Sequence, residues 1–173
     1  MTRADAGKLT FDREPVHVPA IAREAVRKHQ DTATTRNVHI AFEEYPDQLV
    51  LFTDASYLQQ IVDVLVYNAV RYSPEGGTAA VRADMREGRR ASDPARLICV
   101  SVSDEGPGLS EADKVFEEVH RVEQSRGNVR FRLAICRRVA RLMGGDLTLE
   151  TVSGKGSTFT LWLPAPSQRA AAE

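Results

Sequence analysis

The chain reads as an α+β domain, a two-layer sandwich with three helices on one face of a mixed, mostly antiparallel sheet. Three observations carry that expectation. Apolar residues recur at helical spacing in three stretches, most clearly at Leu58, Ile61, Val62, Leu65 and Ala69. Residues 38–42 and 97–102 are β-rich runs bounded by turn signals. Residues 147–152 and 157–163 form a closing hairpin joined across Gly154-Lys155-Gly156.

Taken in order, residues 1–7 are a polar lead-in and residues 9–13 a short alternating strand. Pro19 stands at the first position of a helix that runs to about Thr35, with Ile21, Ala25 and Val26 facing inward. Strands over 38–42 and 49–52 flank a turn at Pro46-Asp47. The next helix starts at Asp54, whose carboxylate can accept an orphan N–H of the first turn, and closes at Ser73-Pro74 and Gly76-Gly77. Strands over 78–86 and 97–102 are joined by an Arg-rich connection, 87–94. The second runs into Asp104-Glu105-Gly106-Pro107-Gly108, where a strand cannot continue. A short helix over 111–119 leads into a charged stretch, and a last helix over 133–143 stops at Gly144-Gly145. Residues 1–173 read as one domain with its core over about 8–164 and a frayed tail over 165–173.

A formal net charge of -1 offers no global electrostatic case for nucleic acid or an anionic membrane. No run approaches the ~20 apolar residues of a membrane span, and the N-terminus lacks a signal-peptide pattern. Cys99 and Cys136 lie in apolar surroundings without a nearby His or CxxC partner, which fits reduced core thiols in a cytosolic protein.

Two places carry chemistry. In the last turns of the 54–72 helix, Asn68, Arg71 and Tyr72 group an uncharged oxygen ligand, a cation and an aromatic ring, a set able to hold the metal, phosphates and base of a nucleotide. An amphipathic core helix with a polar end is the plainer alternative. At the end of the 97–102 strand, Asp104 accepts hydrogen bonds only. It suits the exocyclic amine of adenine and repels the carbonyl that guanine presents there. Gly106 and Gly108 leave room for a flat ring, although Asp-x-Gly turns are common.

The order of these signals is more specific than any one of them. The stretches LQQIVDVLVYNAVRYSPEGG, VSVSDEGPGLS, VFEEVHRVEQS and RLAICRRVARLMGGDLTLETVSGKGSTFTLWLP resemble the ATP-binding catalytic (HATPase, GHKL or Bergerat-fold) domain of two-component sensor histidine kinases. The resemblance spans about residues 7–164. It implies ATP and Mg²⁺ as cofactors. It implies that Asn68 holds the metal through its amide oxygen, that Arg71 faces a phosphate, and that Tyr72 packs on base or ribose. It further implies that Asp104 reads adenine with Gly106 and Gly108 beside it, that Thr158 backs Asp104 through a hydroxyl, and that Arg121 reaches the terminal phosphate. Gly127 and Leu133 are what survives of the family's glycine-rich lid.

Two departures accompany the match. Val64 stands where histidine kinases usually carry a second Asn and ATPase relatives a Glu, so a water-activating base is absent. The lid reads Gly127-Asn128-Val129-Arg130-Phe131-Arg132-Leu133, and arginine at glycine positions implies strain wherever φ is positive. Either Arg130 and Arg132 replace backbone amides as phosphate ligands, or the lid has lost phosphate binding.

None of His17, His29, His39 and His120 stands in the context of a phosphoacceptor, and Gln30 follows His29 where an acidic residue is usual. The resemblance therefore implies a separate helical dimerisation and phosphoacceptor domain as partner, a response regulator downstream, and a monomeric isolated domain. It implies a cytoplasmic location, with any membrane anchor elsewhere in a parent sensor. The leading expectation is a protein-histidine kinase catalytic domain passing the γ-phosphoryl of ATP to histidine. The alternative is a degenerate domain that binds ATP weakly or not at all and acts as a protein-interaction module. A related serine kinase is a third reading.

Overall fold

The computed structural model describes residues 9–44, 49–88, 94, 96–109, 115–116 and 129–166. The expected turn at Pro46-Asp47, most of the 87–94 connection, Arg121, Gly127 and the tail beyond 166 lie outside the described residues. Of the expected 111–119 helix, only Val115 and Phe116 are described.

Among the described residues ten elements follow one another: β1 (Glu14–His17), α1 (Val18–Thr35), β2 (His39–Glu44), β3 (Val50–Thr53), α2 (Ala55–Tyr72), β4 (Thr78–Glu87), β5 (Arg96–Asp104), α3 (Val129–Leu142), β6 (Asp146–Val152) and β7 (Gly156–Pro164). The main sheet has the order β2-β4-β5-β7-β6. β2 and β4 are parallel because α2 carries the chain across between them, and every other pairing is antiparallel. β1 and β3 form a separate two-stranded antiparallel pair. The expected α+β sandwich is the architecture found.

Sheet alternation sorts β5 into two faces. Ile98, Val100 and Val102 enter the buried core with Leu58, Ile61, Val62 and Leu65 of α2 and Leu133 and Ala140 of α3. Phe159, Leu161 and Leu163 of β7 join them. The opposite face is polar. There Asp84, itself buried, is flanked by Arg82 (3.2 Å) and Arg86 (3.0 Å), and Arg86 also lies over the Trp162 ring. Each buried aliphatic side chain contributes about 1.5–3 kcal/mol, so the helix-facing side supplies most of the driving force for folding.

Two local expectations are corrected. The first strand is Glu14–His17, not residues 9–13. Asp54 accepts the Tyr57 N–H through Oδ1 (3.0 Å) as the α2 N-cap, and its Oδ2 accepts the Asp12 N–H (2.8 Å). That second bond lays the leading segment across the start of α2, where Phe11 packs on Tyr57 with ring centroids 5.2 Å apart. The last helix starts at Val129 rather than Leu133, so residues 129–132 are its first turn. Among the described residues Asn37 alone, apart from glycines, has positive φ, so the arginines at 130 and 132 carry no left-handed strain. Replacing glycine by arginine exchanges a poor helix former for a good one, and the helix extends accordingly.

Candidate functional site

The C-terminal turn of α2 and the loop after β5 meet. A Cβ on Gly106 would lie 2.6 Å from the Tyr72 carbonyl oxygen and 2.8 Å from Asp104 Oδ1, so only glycine permits this approach. Glu105 reaches the same region, with its Oε2 accepting the Thr78 N–H at 2.7 Å. Further on, Gly108 (φ +74°) presses against the Val152 backbone, where a Cβ would come within 2.4 Å. Gly154 N–H donates to the Pro107 carbonyl (2.7 Å) and Leu109 N–H to Thr151 Oγ1 (2.9 Å). At both glycines the Cβ side is taken up by the protein's own backbone, which fixes the loop between α2 and the β6–β7 hairpin.

Asp104 ends β5 in the alternation of Val102 and Val100, on the face that the helices cover. It is partly buried. Desolvation pushes its carboxyl above the usual carboxylate range, against the N–H groups of Gly106 (2.9 Å to Oδ1) and Ser157, which favour the charged form. Asn68 is 4% exposed, and its amide nitrogen has no hydrogen-bond partner. An unpaired polar group buried this deeply costs about 1–3 kcal/mol, which marks it as held for something other than stability. Tyr72 lies one turn beyond Asn68 and is 42% exposed, with the Arg71 guanidinium 6.0 Å from its ring centroid.

The remaining expected residues fall elsewhere. Thr158 does not back Asp104. It pairs with Ser103, and the two hydroxyls are 2.8 Å apart on the polar face of the sheet. The residue opposite Asp104 is Ser157, buried, with its hydroxyl 2.9 Å from Thr151 Oγ1. Counting the β7 alternation backward from Phe159 would have found it, because a one-residue step moves a side chain to the other face. Leu133 is buried in the helix–sheet core, and Arg132 is exposed on α3. Val64 is half-buried against the core, a hydrocarbon one turn before Asn68. Sequence reasoning also passed over Arg36, whose guanidinium donates to the carbonyls of Val70 (3.2 Å) and Arg71 (2.8 Å). Its pairing is tertiary, and no sequence signal points to it.

A family model described as "Histidine kinase-, DNA gyrase B-, and HSP90-like ATPase" matches residues 53–167, from the end of β3 past the end of β7. The chain belongs to this ATPase family. The match takes in both Asn68 and Asp104 and most of the described fold. Sensor histidine kinase WalK of Bacillus subtilis is 30% identical over 172 residues, 95% of this chain and 27% of that protein. The chain spans well under half the length of such curated relatives. Among solved structures, the nucleotide-free catalytic domain of histidine kinase ThkA superposes with a TM-score of 0.71 at 21% identity. It covers 91% of this chain and 98% of that domain. Full-length ShkA in complex with AMPPNP gives 0.75 at 23% identity, covering 92% of this chain and 32% of that one. At these identities both establish the shared fold alone.

Proposed function

We propose that this chain is the ATP-binding catalytic part of a sensor histidine kinase and passes the γ-phosphoryl of ATP to a histidine on a separate helical domain. The observation that carries the reading is the meeting of Asp104, on the helix-covered face, with the α2 end that holds Asn68, whose buried amide nitrogen has no partner. Asp104 accepts the adenine amine, Tyr72 covers the base or ribose, and Arg71 faces a phosphate. Ser157, rather than Thr158, stands beside Asp104.

The residues present fit Mg²⁺ bound with the nucleotide. Asn68 offers one neutral oxygen, and among the described residues no group of three acidic, His or Cys side chains forms a cage. A cation held by Asn68 would take its other ligands from phosphate oxygens and water, as magnesium prefers, and would supply neutralisation of charge developing on the phosphates. The chain's own contribution is positioning and electrostatics. Val64 can orient no water, which hurts hydrolysis more than transfer to an imidazole, itself the nucleophile.

The acceptor comes from outside the described residues. His29 has a buried Nε2 beside Tyr67 (centroids 5.9 Å), and burial lowers its basicity. His17 and His39 are strand residues on β1 and β2. The partner is then a helical phosphoacceptor domain, with a response regulator acting after it, and the isolated domain is a cytoplasmic monomer. Among the described residues no helix is long and apolar enough to cross a membrane. Val64 and the arginine-bearing first turn of α3 favour the second reading, a degenerate module with weak or no ATP binding.

Calorimetric titration with a non-hydrolysable ATP analogue, with and without Mg²⁺, separates the two. Heat that is Mg²⁺-dependent and lost in Asp104→Asn supports the catalytic reading. No heat at millimolar ligand leaves the interaction module.

A further inference from the structure

The turn of residues 73–77, which links α2 to β4, is gripped from both sides by groups that the nucleotide reading does not use. On one side stands the end of α1. Arg36, the α1 C-cap, turns its guanidinium onto the last carbonyls of α2, at Val70 (3.2 Å) and Arg71 (2.8 Å). These are carbonyls that a helix end leaves without intrahelical partners, and Ser73-Pro74 cannot extend the helix to supply them. Asn37 adopts φ 53°, and its carbonyl accepts the Gly76 N–H at 2.7 Å, while His39 N–H donates to the Gly77 carbonyl at 2.9 Å. On the other side Glu105, next to Asp104 in sequence, accepts the Thr78 N–H at 2.7 Å, and its own N–H meets Ser73 Oγ at 3.5 Å.

We propose that Arg36 and Glu105 are positioning residues for the nucleotide pocket, holding the α2 end that bears Asn68, Arg71 and Tyr72 at a fixed spacing from the Asp104 loop. This rests on the nucleotide reading above. Both side chains spend these hydrogen bonds on backbone groups, so they act through the residues they place. Arg36 does so with a planar fork that spans two carbonyls, and its charge complements the negative end of the α2 dipole. A lysine offers the charge without the fork. Arg36 is exposed, so its replacement leaves the core intact.

The test measures affinity for a non-hydrolysable ATP analogue by calorimetry, alongside amide exchange at Gly76 and Thr78. Arg36→Gln and Glu105→Ala should each weaken binding about 5–10-fold, in line with loss of a charge-assisted hydrogen bond in a partly solvated place, and speed exchange at those amides. In a Tyr72→Ala background the Arg36→Gln penalty should shrink measurably, because one of the groups being positioned is gone. Arg36→Lys should stay near the Arg36→Gln affinity. Additive penalties, or full rescue by lysine, overturn the proposal. Nucleotide binding by the wild-type chain that neither variant alters overturns it alone. A wild-type chain that binds no nucleotide overturns the nucleotide reading and this one with it.

Discussion

Gly106→Ala isolates the contact on which the candidate site is built. The added methyl would lie 2.6 Å from the Tyr72 carbonyl oxygen and 2.8 Å from Asp104 Oδ1, while ordinary contact begins at 3.4 Å. The loop and the α2 end must therefore separate by about 0.8 Å, or Asp104 must swing off the Gly106 N–H it accepts at 2.9 Å. One obstacle is backbone at a helix end, so relaxation is limited, and overpacking of this kind costs about 1–3 kcal/mol. For a chain of this size that lowers Tm by roughly 3–10 °C. The functional cost is larger in proportion. Misplacing a binding group by about 1 Å loses up to 10²-fold, so nucleotide affinity should fall by about 10–100-fold. Gly154→Ala is the control. That residue has φ +76° with no atom within 4 Å of the new methyl, so it should cost about 1 kcal/mol of backbone strain and leave affinity unchanged. Thermal unfolding and calorimetric titration of both variants read the two effects separately. Gly106→Ala with wild-type Tm and wild-type affinity would refute the packing of loop on helix.

Three further outcomes follow from the geometry. Asn68→Leu, near in volume, removes the unpartnered buried amide, so it should raise Tm by a few degrees while abolishing Mg²⁺-dependent nucleotide binding; a fall in both would mean that the amide is structural. Asp104 has its folded-state carboxyl raised by burial, so nucleotide affinity should fail as pH drops through that raised value, earlier than for an ordinary aspartate, as calorimetric titration across pH would show. The same shift favours the protonated form in the fold, so Asp104 itself adds stability, rather than removing it, over that fall in pH. Asp146 behaves oppositely. Partial burial raises its carboxyl, but the hydrogen bonds from Arg137 (3.1 Å) and the Leu147 N–H (2.8 Å), with the Arg137 and Arg141 charges, bring it below the ordinary value. Its contribution is present above the unfolded value of about 3.9 and lost as pH falls through the lower folded one. Asp146→Asn should cost about 1 kcal/mol in urea unfolding at pH 7, a difference that closes below about pH 4.

How far the fold could be read from sequence depended on whether local and tertiary forces agreed. They agree in α2. Its apolar face, the Asp54 cap and the Ser73-Pro74 stop all specify one helix, and Tyr57 N–H meets Asp54 as expected. They disagree at residues 9–13. There Leu9 and Phe11 imitate a strand at period two, but the second oxygen of Asp54, 42 residues away, claims the Asp12 N–H and lays the segment on α2 instead. They also disagree before Leu133. Comparison with a glycine-rich pattern made residues 129–132 a strained loop, whereas Val-Arg-Phe-Arg has no glycine to oppose a helix and two arginines that favour one, and the chain follows its own residues.

The Thr158 misplacement shows what separates a motif from a site. Gly156-Ser157-Thr158 offers two adjacent hydroxyls, and either satisfies a requirement stated as a hydroxyl near Asp104. Strand geometry admits one. Asp104 and Ser157 are cross-strand partners on the helix-covered face, while Ser103 and Thr158 are partners on the polar one. A pairing register fixes the face of every residue in a strand once the face of one is known. Phe159 and Val102 are both in the core, so Asp104 and Ser157 must be on that side too. The assignment to Ser157 therefore stands or falls with the β5–β7 register and not with the family pattern. Ser157→Ala should disturb Asp104 and nucleotide affinity, and Thr158→Val should leave both alone. The reverse result would place the β5–β7 register one residue out and turn Phe159, not Asp104, off the core face.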